Sequence, residues 1–303
     1  MSTNSTAKTR PLVWLVTGCT SGFGRLFVPA ILARGDRVIA TARDIESLPE
    51  ISNTKDVFLL QLDVTDSQES LYAKAATAIE RFGEVNVLVN NAGYVLSGVW
   101  EEVSHEQVVD QFRTNFFGHM NVTRAFLPNM RSRRSGTVVF MSSIAGWLGV
   151  AAGGPYSASK FALEGAVESL QKEVCTLGIR VHLIVLGQFR TSILDDNRRK
   201  ISRPNPAVDD YNSAVNTLAL RQVDTNGKQP GNPTLAVERI LDAVRREGMM
   251  ATREEIPLRI VLGSDAGQIV RAQCLETLQQ LDKLQEIGRS TDFLDARGIQ
   301  DYK

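Results

Sequence analysis

The feature that most constrains the fold is an apolar run that leads directly into a glycine-rich turn near the start of the chain. Residues 12–16 (Leu-Val-Trp-Leu-Val) have the character of a short strand covered on both faces, and residues 17–24 contain three glycines. Residues 25–34 have helical character and precede a second apolar run at residues 37–41. This order of strand, turn, helix and strand predicts a βαβ unit.

Further apolar runs alternate with amphipathic stretches along the chain. The predicted strands comprise residues 57–62, 85–89, 137–141, 180–185 and 258–262, and the predicted helices comprise residues 68–82, 104–129 and 157–177. A chain of 303 residues could form one large domain or two small ones, and this alternation favours one. The predicted fold class is α/β, a single doubly wound Rossmann-type domain with a seven-stranded parallel sheet and helices on both faces.

The predicted domain covers residues 11–265, after a flexible tail at residues 1–10. Residues 266–303 are predicted to form a C-terminal helical extension with an amphipathic helix at residues 269–287. We expect this helix to dock on its own domain, and docking on a partner subunit is the alternative.

Composition and charge limit the classes of partner. Thirty-four basic residues balance thirty-four acidic ones, so we expect a small-molecule substrate, with no nucleic acid and no membrane as partner. The longest apolar runs are too short to span a bilayer, and residues 1–10 lack the apolar segment of a secretory signal, although a transit peptide stays an alternative. The three cysteines are odd in number and far apart, which is typical of reduced cytoplasmic thiols. Neither they nor the three histidines show metal-ligand spacing, so no metal is expected.

Tyr156 and Lys160 are the candidate catalytic pair. Four residues apart on a helix, they place a phenol and an ammonium on one face, where the cation could lower the pKa of the phenol. A solvated pair on an exposed helix would have the same spacing. Thirteen residues before the tyrosine, Ser143 follows a buried strand, and a hydroxyl at a strand end lies at the ligand edge of a parallel sheet.

The glycines of the first turn would allow the backbone to approach a pyrophosphate at a helix N-terminus, although an ordinary strand-to-helix turn could also use them. The TGxxxGxG pattern of residues 17–24, the Asn-Asn-Ala-Gly of residues 90–93, Ser143 and the Tyr156-x-x-x-Lys160 pair together resemble the short-chain dehydrogenase/reductase family. The resemblance runs in register from residue 11 to about residue 263. Within the family, the chain looks most like fungal and bacterial NADP-dependent ketoreductases related to 17β-hydroxysteroid dehydrogenases.

The resemblance implies a catalytic tetrad. Tyr156 would be the acid/base, Lys160 would lower the pKa of Tyr156 and hold the nicotinamide ribose, and Ser143 would bind the substrate oxygen. Asn115 would be the fourth member, in a kinked helix with a water leading to the lysine. The residue pattern alone leaves the alternative that the Asn115 amide bonds to its own helix backbone.

The resemblance also implies the dinucleotide contacts. Besides Tyr156 and Lys160, the implied cofactor-binding residues are Thr17, Gly18, Thr20, Ser21, Gly22, Phe23, Gly24, Arg43, Asp63, Asn91, Ala92, Gly93 and Thr191. Asp63 would contact the adenine, or it could simply cap the following helix. Leu186 stands where the family usually has a proline, so the placement of Thr191 on the nicotinamide carboxamide rests on a changed local sequence.

The end of the second predicted strand points to NADP(H) rather than NAD(H). NAD sites usually place a carboxylate there to bind the ribose hydroxyls, but this chain has Ala42 at that place and Arg43 directly after it. A guanidinium can bind a 2′-phosphate bidentately. Asp44 leaves an alternative, because a shift of two residues in the turn would bring its carboxylate to the ribose.

A proline-interrupted connection at about residues 192–235 is, by resemblance, the lid over the substrate. Its predicted helix, residues 209–222, places Tyr211, Val215 and Leu218 on one face, where they either pack internally or line a pocket for an apolar substrate. Helices 104–129 and 157–177 are expected to form a homodimer or homotetramer, as the family commonly does; Phe161, Ala162, Gly165 and Ala166 supply small and apolar surface there.

These observations favour an NADP(H)-dependent oxidoreductase that interconverts a ketone and a secondary alcohol on a medium-sized, largely apolar metabolite, in a setting such as secondary metabolism. A nucleotide-sensing regulatory protein on the same scaffold would be expected to lack catalytic groups, and none is lacking. A non-redox step, such as an isomerisation in a biosynthetic pathway, stays open because fold and site do not determine the substrate.

Overall fold

Seven parallel strands form the central sheet of this computed structural model, which describes residues 10–48, 51–194, 199–202 and 207–293. In chain order the strands of the described residues are β1 (Val13–Val16), β2 (Arg37–Ala42), β3 (Val57–Gln61), β4 (Val87–Asn90), β5 (Val95–Ser97), β6 (Gly136–Met141), β7 (Ile179–Leu186), β8 (Arg199–Ile201) and β9 (Arg259–Leu262). The sheet has the order β3-β2-β1-β4-β6-β7-β9 with every pair parallel, which confirms the predicted fold class.

Helices cover both faces of this sheet. In chain order, the helices of the described residues are α1 (Gly22–Ala33), α2 (Gln68–Phe82), α3 (His105–Phe112), α4 (His119–Arg133), α5 (Gly154–Val174), α6 (Asn212–Thr225), α7 (Pro233–Arg245) and α8 (Ser264–Arg289). Alternate residues of β1 enter different cores: Trp14 and Val16 pack on the side of α1 and α7, whereas Val13 and Leu15 pack on the side of α2, α4 and α5. Because both faces are buried, the strand is a continuous apolar run.

Two predicted helices have different bounds in the structure. The predicted helix 104–129 is interrupted by a π turn, Arg113–Gly118, that joins α3 to α4. The predicted helix 157–177 begins earlier, at Gly154, because Pro155 is suited to the first turn of a helix, and it ends in a short 3₁₀ turn. The tail predicted at residues 1–10 lies, apart from Arg10, outside the described residues.

Helix α8 corrects the expectation that the C-terminal helix docks on its own domain. It touches the body near its start, beside β9, and Ala266 is its one buried residue. The side chains of Leu275, Leu278, Leu281, Leu284 and Ile287 are 53–65% exposed. These apolar side chains therefore do not pack against the described domain. Docking of the helix on a partner subunit remains as the alternative expectation.

A second, two-stranded ribbon joins the segment after β7 to the segment after β4. Strand β8 pairs in parallel with β5, with Leu96 opposite Lys200. The buried Ser202 hydroxyl bonds to the Glu102 carbonyl and the Gln107 amide, and Tyr211 Oη donates to Glu101. These bonds hold the described parts of residues 192–235 against the sheet edge. Within the described residues, no helix is long and apolar enough to cross a bilayer.

Candidate active site

The loops after β1 and β4 lie side by side, because these two strands are neighbours at the point where the strand order reverses. The buried Thr17 hydroxyl accepts hydrogen bonds from the backbone N–H groups of Asn91 and Ala92, at 2.9 and 3.0 Å. In return, the Asn91 amide donates to the Thr17 carbonyl at 2.8 Å. Thr17 and Asn91 therefore fix the two loops to each other.

The glycines of the first loop are required by backbone conformation and by space. Gly18 and Gly22 have φ of +72° and +53°, in the left-handed region. A Cβ at Gly18 would approach the Ala92 Cα to 3.0 Å, and a Cβ at Gly24 would overlap the Gly18 carbonyl oxygen. The N-terminus of α1 thus stays open toward the ligand edge, which is the arrangement that binds phosphate.

A cavity of about 750 Å³ extends along these loops. Of the predicted cofactor-binding residues, it is lined by Gly18, Thr20, Ser21, Gly22, Phe23, Arg43, Asp63, Asn91, Ala92, Gly93 and Thr191. Thr17 and Gly24 lie beneath it and shape the loop. The tetrad residues Asn115, Ser143, Tyr156 and Lys160 are not among its lining residues. The size, the glycine-lined wall and the open helix N-terminus fit a dinucleotide.

Arg43 and Asp63 both lie on the cavity wall. Arg43 is the residue predicted to contact the 2′-phosphate, and Asp63 is the residue predicted to contact the adenine. Arg43 is exposed, and the neighbouring Asp44 carboxylate caps the following 3₁₀ turn by accepting from the Glu46 N–H at 3.0 Å. Asp63 accepts from both the backbone N–H and the hydroxyl of Thr65. The helix-cap alternative for Asp63 is wrong, because Ser67 is the N-cap of α2.

The carboxyl end of β6 and the start of α5 bring together Ser143, Tyr156 and Lys160. The Ser143 hydroxyl accepts from the Ala145 N–H at 3.1 Å and lies close enough to the Tyr156 phenol to act on its pKa. Lys160 Nζ lies 5.8 Å from the centre of the Tyr156 ring and donates to the Met141 carbonyl at 2.8 Å. An ammonium has three donors, so two are left for a ligand.

Burial governs the protonation of this pair. It raises the pKa of Tyr156, and the Ser143 hydrogen bond only partly opposes the rise. It lowers the pKa of Lys160 to about 8, which the Glu164 carboxylate partly opposes. The lowered pKa expected for Tyr156 is therefore wrong for this structure: at neutral pH the phenol is protonated, and the lysine beside it is mostly charged.

The π turn places Asn115 against the loop after β4. The fully buried side-chain amide donates to the Tyr94 carbonyl at 2.9 Å, and its oxygen accepts from the Tyr94 N–H at 3.2 Å. A Cβ at Gly93 would lie 3.1 Å from that oxygen. The alternative in which Asn115 bonds to its own helix is wrong; the side chain clamps the cavity-lining loop instead.

Thr191 faces the glycine loop despite the leucine that replaces the usual proline. Strand β7 continues through Leu186, and the Gly187 N–H bonds to the Leu262 carbonyl at 3.0 Å. The Thr191 Cβ lies 3.9 Å from where a Cβ on Gly22 would be. The side chain thus lines the cavity, and its contact with the nicotinamide carboxamide stays a prediction.

His119 is a buried residue that the sequence analysis did not assign. Its Nε2 lies 2.6 Å from the Ala92 carbonyl oxygen, to which it donates. Burial, together with the charge of Lys160, lowers its pKa to about 3, so the ring is neutral. The His119 ring therefore holds the cavity-lining loop through its bond to Ala92. His119 follows Asn115 by four residues, so the two lie on the same side of the helix, and this spacing could have indicated a shared role at the loop.

Glu164 was also missed, although it lies one helical turn after Lys160. Its carboxylate accepts from the Ser142 hydroxyl and from Arg259 Nε, the latter at 2.8 Å. Arg259 in turn lies over the Trp147 ring. This network behind the lysine joins β6, α5 and β9, and the spacing of four between Lys160 and Glu164 was its only local signal.

The comparisons with known proteins agree with this geometry. The sequence profile of the family described as short chain dehydrogenase matches residues 12–202. The chain belongs to the short-chain dehydrogenase/reductase family. It is similar to the 3-ketodihydrosphingosine reductase of Bacteroides thetaiotaomicron, with 36% identity over 234 residues, which cover 77% of this chain and 84% of that protein.

Solved structures of short-chain dehydrogenases share the fold. A short-chain dehydrogenase from Streptomyces avermitilis has a TM-score of 0.82 and 37% identity, and the match covers 94% of this chain and 100% of that one. Two structures of 23% identity contain a dinucleotide. One, from Burkholderia cenocepacia J2315, holds NADP, with a TM-score of 0.65 and a match that covers 90% of this chain and 97% of that one. The other, from Burkholderia phymatum, holds NAD, with a TM-score of 0.69 and a match that covers 94% of this chain and 98% of that one. Family membership makes the chain an oxidoreductase, and structures of this fold hold either dinucleotide.

Proposed function

We propose that this short-chain dehydrogenase/reductase interconverts a ketone and a secondary alcohol with NADP(H), on a medium-sized and largely apolar metabolite. The observation that carries the proposal is the position of the Ser143 hydroxyl and the Lys160 ammonium beside the Tyr156 phenol, at the sheet edge where the glycine loop lies. These three groups are what a proton transfer to a carbonyl oxygen requires: an acid, a hydrogen-bond donor and a cation.

The residues have separate tasks in the proposed reaction. A bound nicotinamide supplies or accepts the hydride. In the reductive direction the protonated Tyr156 donates its proton to the substrate oxygen, and Ser143 donates a hydrogen bond to that oxygen. Lys160 keeps a positive charge beside the phenol, so the phenolate that forms is stabilised. Asn115 and His119 hold the backbone that borders the cavity.

An apolar substrate is supported by the segment above the site and by one relative. Tyr211, Val215 and Leu218, on one face at the start of α6, are all half-buried rather than packed into the core. The similar protein of Bacteroides thetaiotaomicron is named for the reduction of a keto group in 3-ketodihydrosphingosine. A ketone on an aliphatic skeleton is therefore the first class of substrate to test.

A panel of ketones with NADPH tests the proposal directly. We expect consumption of NADPH with alicyclic and long-chain ketones, followed by absorbance at the nicotinamide band. Tight NADPH binding without turnover would indicate a sensing protein instead. Product formed without net loss of NADPH would indicate an isomerisation.

Arg43→Ala tests the cofactor preference. Arg43 lies on the cavity wall after Ala42, where an NAD site would carry a carboxylate. A lost charged hydrogen bond to the 2′-phosphate should weaken NADPH by roughly 1.5 to 3 kcal/mol and leave NADH almost unchanged. Titration calorimetry with both dinucleotides measures this, and equal losses for the two would show that Arg43 does not read the phosphate.

A further inference from the structure

A basic side chain of the segment that follows β7, that of Lys200 in β8, reaches the dinucleotide cavity. Lys200 lines the cavity, and its ammonium lies 4.4 Å from the centre of the Tyr94 ring. Strand β8 is held there by its pairing with β5, in which Lys200 is opposite Leu96. The position of the lysine is thus set by backbone hydrogen bonds to a strand that precedes it by more than 100 residues in the sequence.

Among the described residues, no carboxylate of the cavity wall forms an ion pair with this ammonium. Of the carboxylates that line the cavity, Asp110 is paired with Arg113 at 3.2 Å, Asp63 accepts from Thr65, and Asp44 accepts from the Glu46 N–H. In the part of the chain that the structure describes, Lys200 makes its cation–π contact with Tyr94 and no ion pair. An aromatic face attracts a cation but accepts no conventional hydrogen bond, so the three N–H donors of the ammonium face the cavity or solvent.

The position of Tyr94 indicates which ligand group the ammonium would meet. Tyr94 follows Ala92 by two residues, and Ala92 lies against Gly18 of the glycine loop. Arg43, by contrast, belongs to the turn after β2. The ammonium and Tyr94 therefore border the same cavity as the glycine loop and the α1 N-terminus, which favour negative charge.

We propose that Lys200 binds the pyrophosphate of the dinucleotide, as a phosphate ligand contributed by the segment after β7. This inference rests on the proposed function, because it takes the ligand of the cavity to be a nicotinamide dinucleotide. Its consequence is that the cofactor holds β8 in place, because the phosphate charge adds to the β5–β8 pairing.

Titration calorimetry of NADPH and NADH with Lys200→Met, Lys200→Arg and Lys228→Met tests the proposal. Methionine keeps an apolar stem over Tyr94 and removes the charge. Lys228 is an exposed lysine of the same segment that does not line the cavity, so it is the matched control. We expect Lys200→Met to weaken both dinucleotides about tenfold, Lys200→Arg to stay within about threefold of wild type, and Lys228→Met to change neither.

Salt dependence gives a second readout, since added NaCl should weaken dinucleotide binding less in Lys200→Met than in wild type. Unchanged binding of both dinucleotides by Lys200→Met would overturn the inference and leave the proposed function standing. A loss confined to NADPH would also overturn it, because the lysine would then read the 2′-phosphate. A wild-type protein that binds neither dinucleotide would overturn the proposed function as well.

Discussion

At the residue scale, Tyr156→Phe is expected to separate the chemical step from cofactor binding. Phenylalanine keeps the ring and removes the hydroxyl with its transferable proton, beside Ser143. We expect Tyr156→Phe to lower turnover by about 10²- to 10⁴-fold, the usual contribution of a general acid, with the NADPH dissociation constant nearly unchanged. Steady-state rates and calorimetry measure the two quantities, and retention of more than about a tenth of the wild-type rate would contradict the assignment.

Lys160 is expected to lower the stability of the folded protein because its charge is buried. Its pKa of about 8 lies below the ordinary value of 10.5, which corresponds to about 3 kcal/mol at neutral pH. Lys160→Met removes this cost but leaves the Met141 carbonyl without its donor, which costs roughly 1 to 3 kcal/mol. We therefore expect the variant to be about as stable as wild type or slightly more stable at pH 7, and to be inactive.

The pH dependence of the same variant gives the sharper test. Between pH 8 and 10.5 the unfolded chain binds a proton at Lys160 that the folded protein has released, so wild-type stability rises with pH in this window. Lys160→Met should lack this rise in urea unfolding at pH 7 and 9.5. Lys172→Met, on an exposed turn of α5, should keep it. Parallel profiles for wild type and Lys160→Met would show that the lysine is not buried as described.

At the scale of elements, the contact between the glycine loop and the β4 loop should tolerate no added atoms. A Cβ at Gly24 would overlap the Gly18 carbonyl and lie 2.7 Å from Asn91 Nδ2. We expect Gly24→Ala to destabilise the protein by roughly 1 to 3 kcal/mol and to weaken NADPH binding at least tenfold. Thermal unfolding and NADPH titration measure both effects.

Gly267→Ala in α8 is the control for this change. Its Cβ would meet no atom within 4 Å and its backbone is helical, so alanine should stabilise the helix by about 0.5 to 1 kcal/mol. If Gly24→Ala behaved like this control, the close packing of the two loops would be refuted.

The strands of the main sheet were predictable because a parallel strand buried on both faces is an unbroken apolar run. Val87–Asn90 and Gly136–Met141 are examples. Strands β5 and β8 were not predicted, since three residues give no periodic pattern and their pairing depends on the tertiary fold. Helix α7 was also missed, although Asn232 followed by Pro233 is an N-cap and first-turn pair that could have indicated it.

Some residues of the candidate site could likewise be predicted from local sequence, and others could not. Ser143, Tyr156 and Lys160 were predictable because strand ends and helix spacing are local properties. The partners that surround them were not, because Asn115 bonds to Tyr94 and His119 to Ala92 across loops that only folding brings together. The direction of the Tyr156 pKa shift was mistaken for the same reason: burial is a property of the whole site.

At the scale of the whole molecule, two exposed aromatic side chains support self-association. Phe117 in the π turn and Phe161 in α5 are 52% and 48% exposed, and these two elements pack against each other. We expect a dimer or tetramer by sedimentation at micromolar concentration, and a smaller species for Phe161→Glu, because a charge in an apolar interface is costly.

Tyr72→Glu is the matched control, since Tyr72 is a similarly exposed aromatic residue on α2, away from α5. It should leave the sedimentation of the protein unchanged. A monomeric wild type would contradict the expected assembly, and equal effects of the two substitutions would contradict the assigned surface.

The way in which the segment after β7 is attached bears on how enzymes of this type diversify. Among the described residues, the ribbon of β5 and β8 and several side-chain bonds join that segment to the body, whereas the proposed catalytic groups lie after β6, in α5 and in the π turn. Drift in residues such as Val215 or Leu218 therefore leaves the proton-transfer geometry intact. New substrate ranges can arise by point mutation in one peripheral module, while the inherited reaction is preserved.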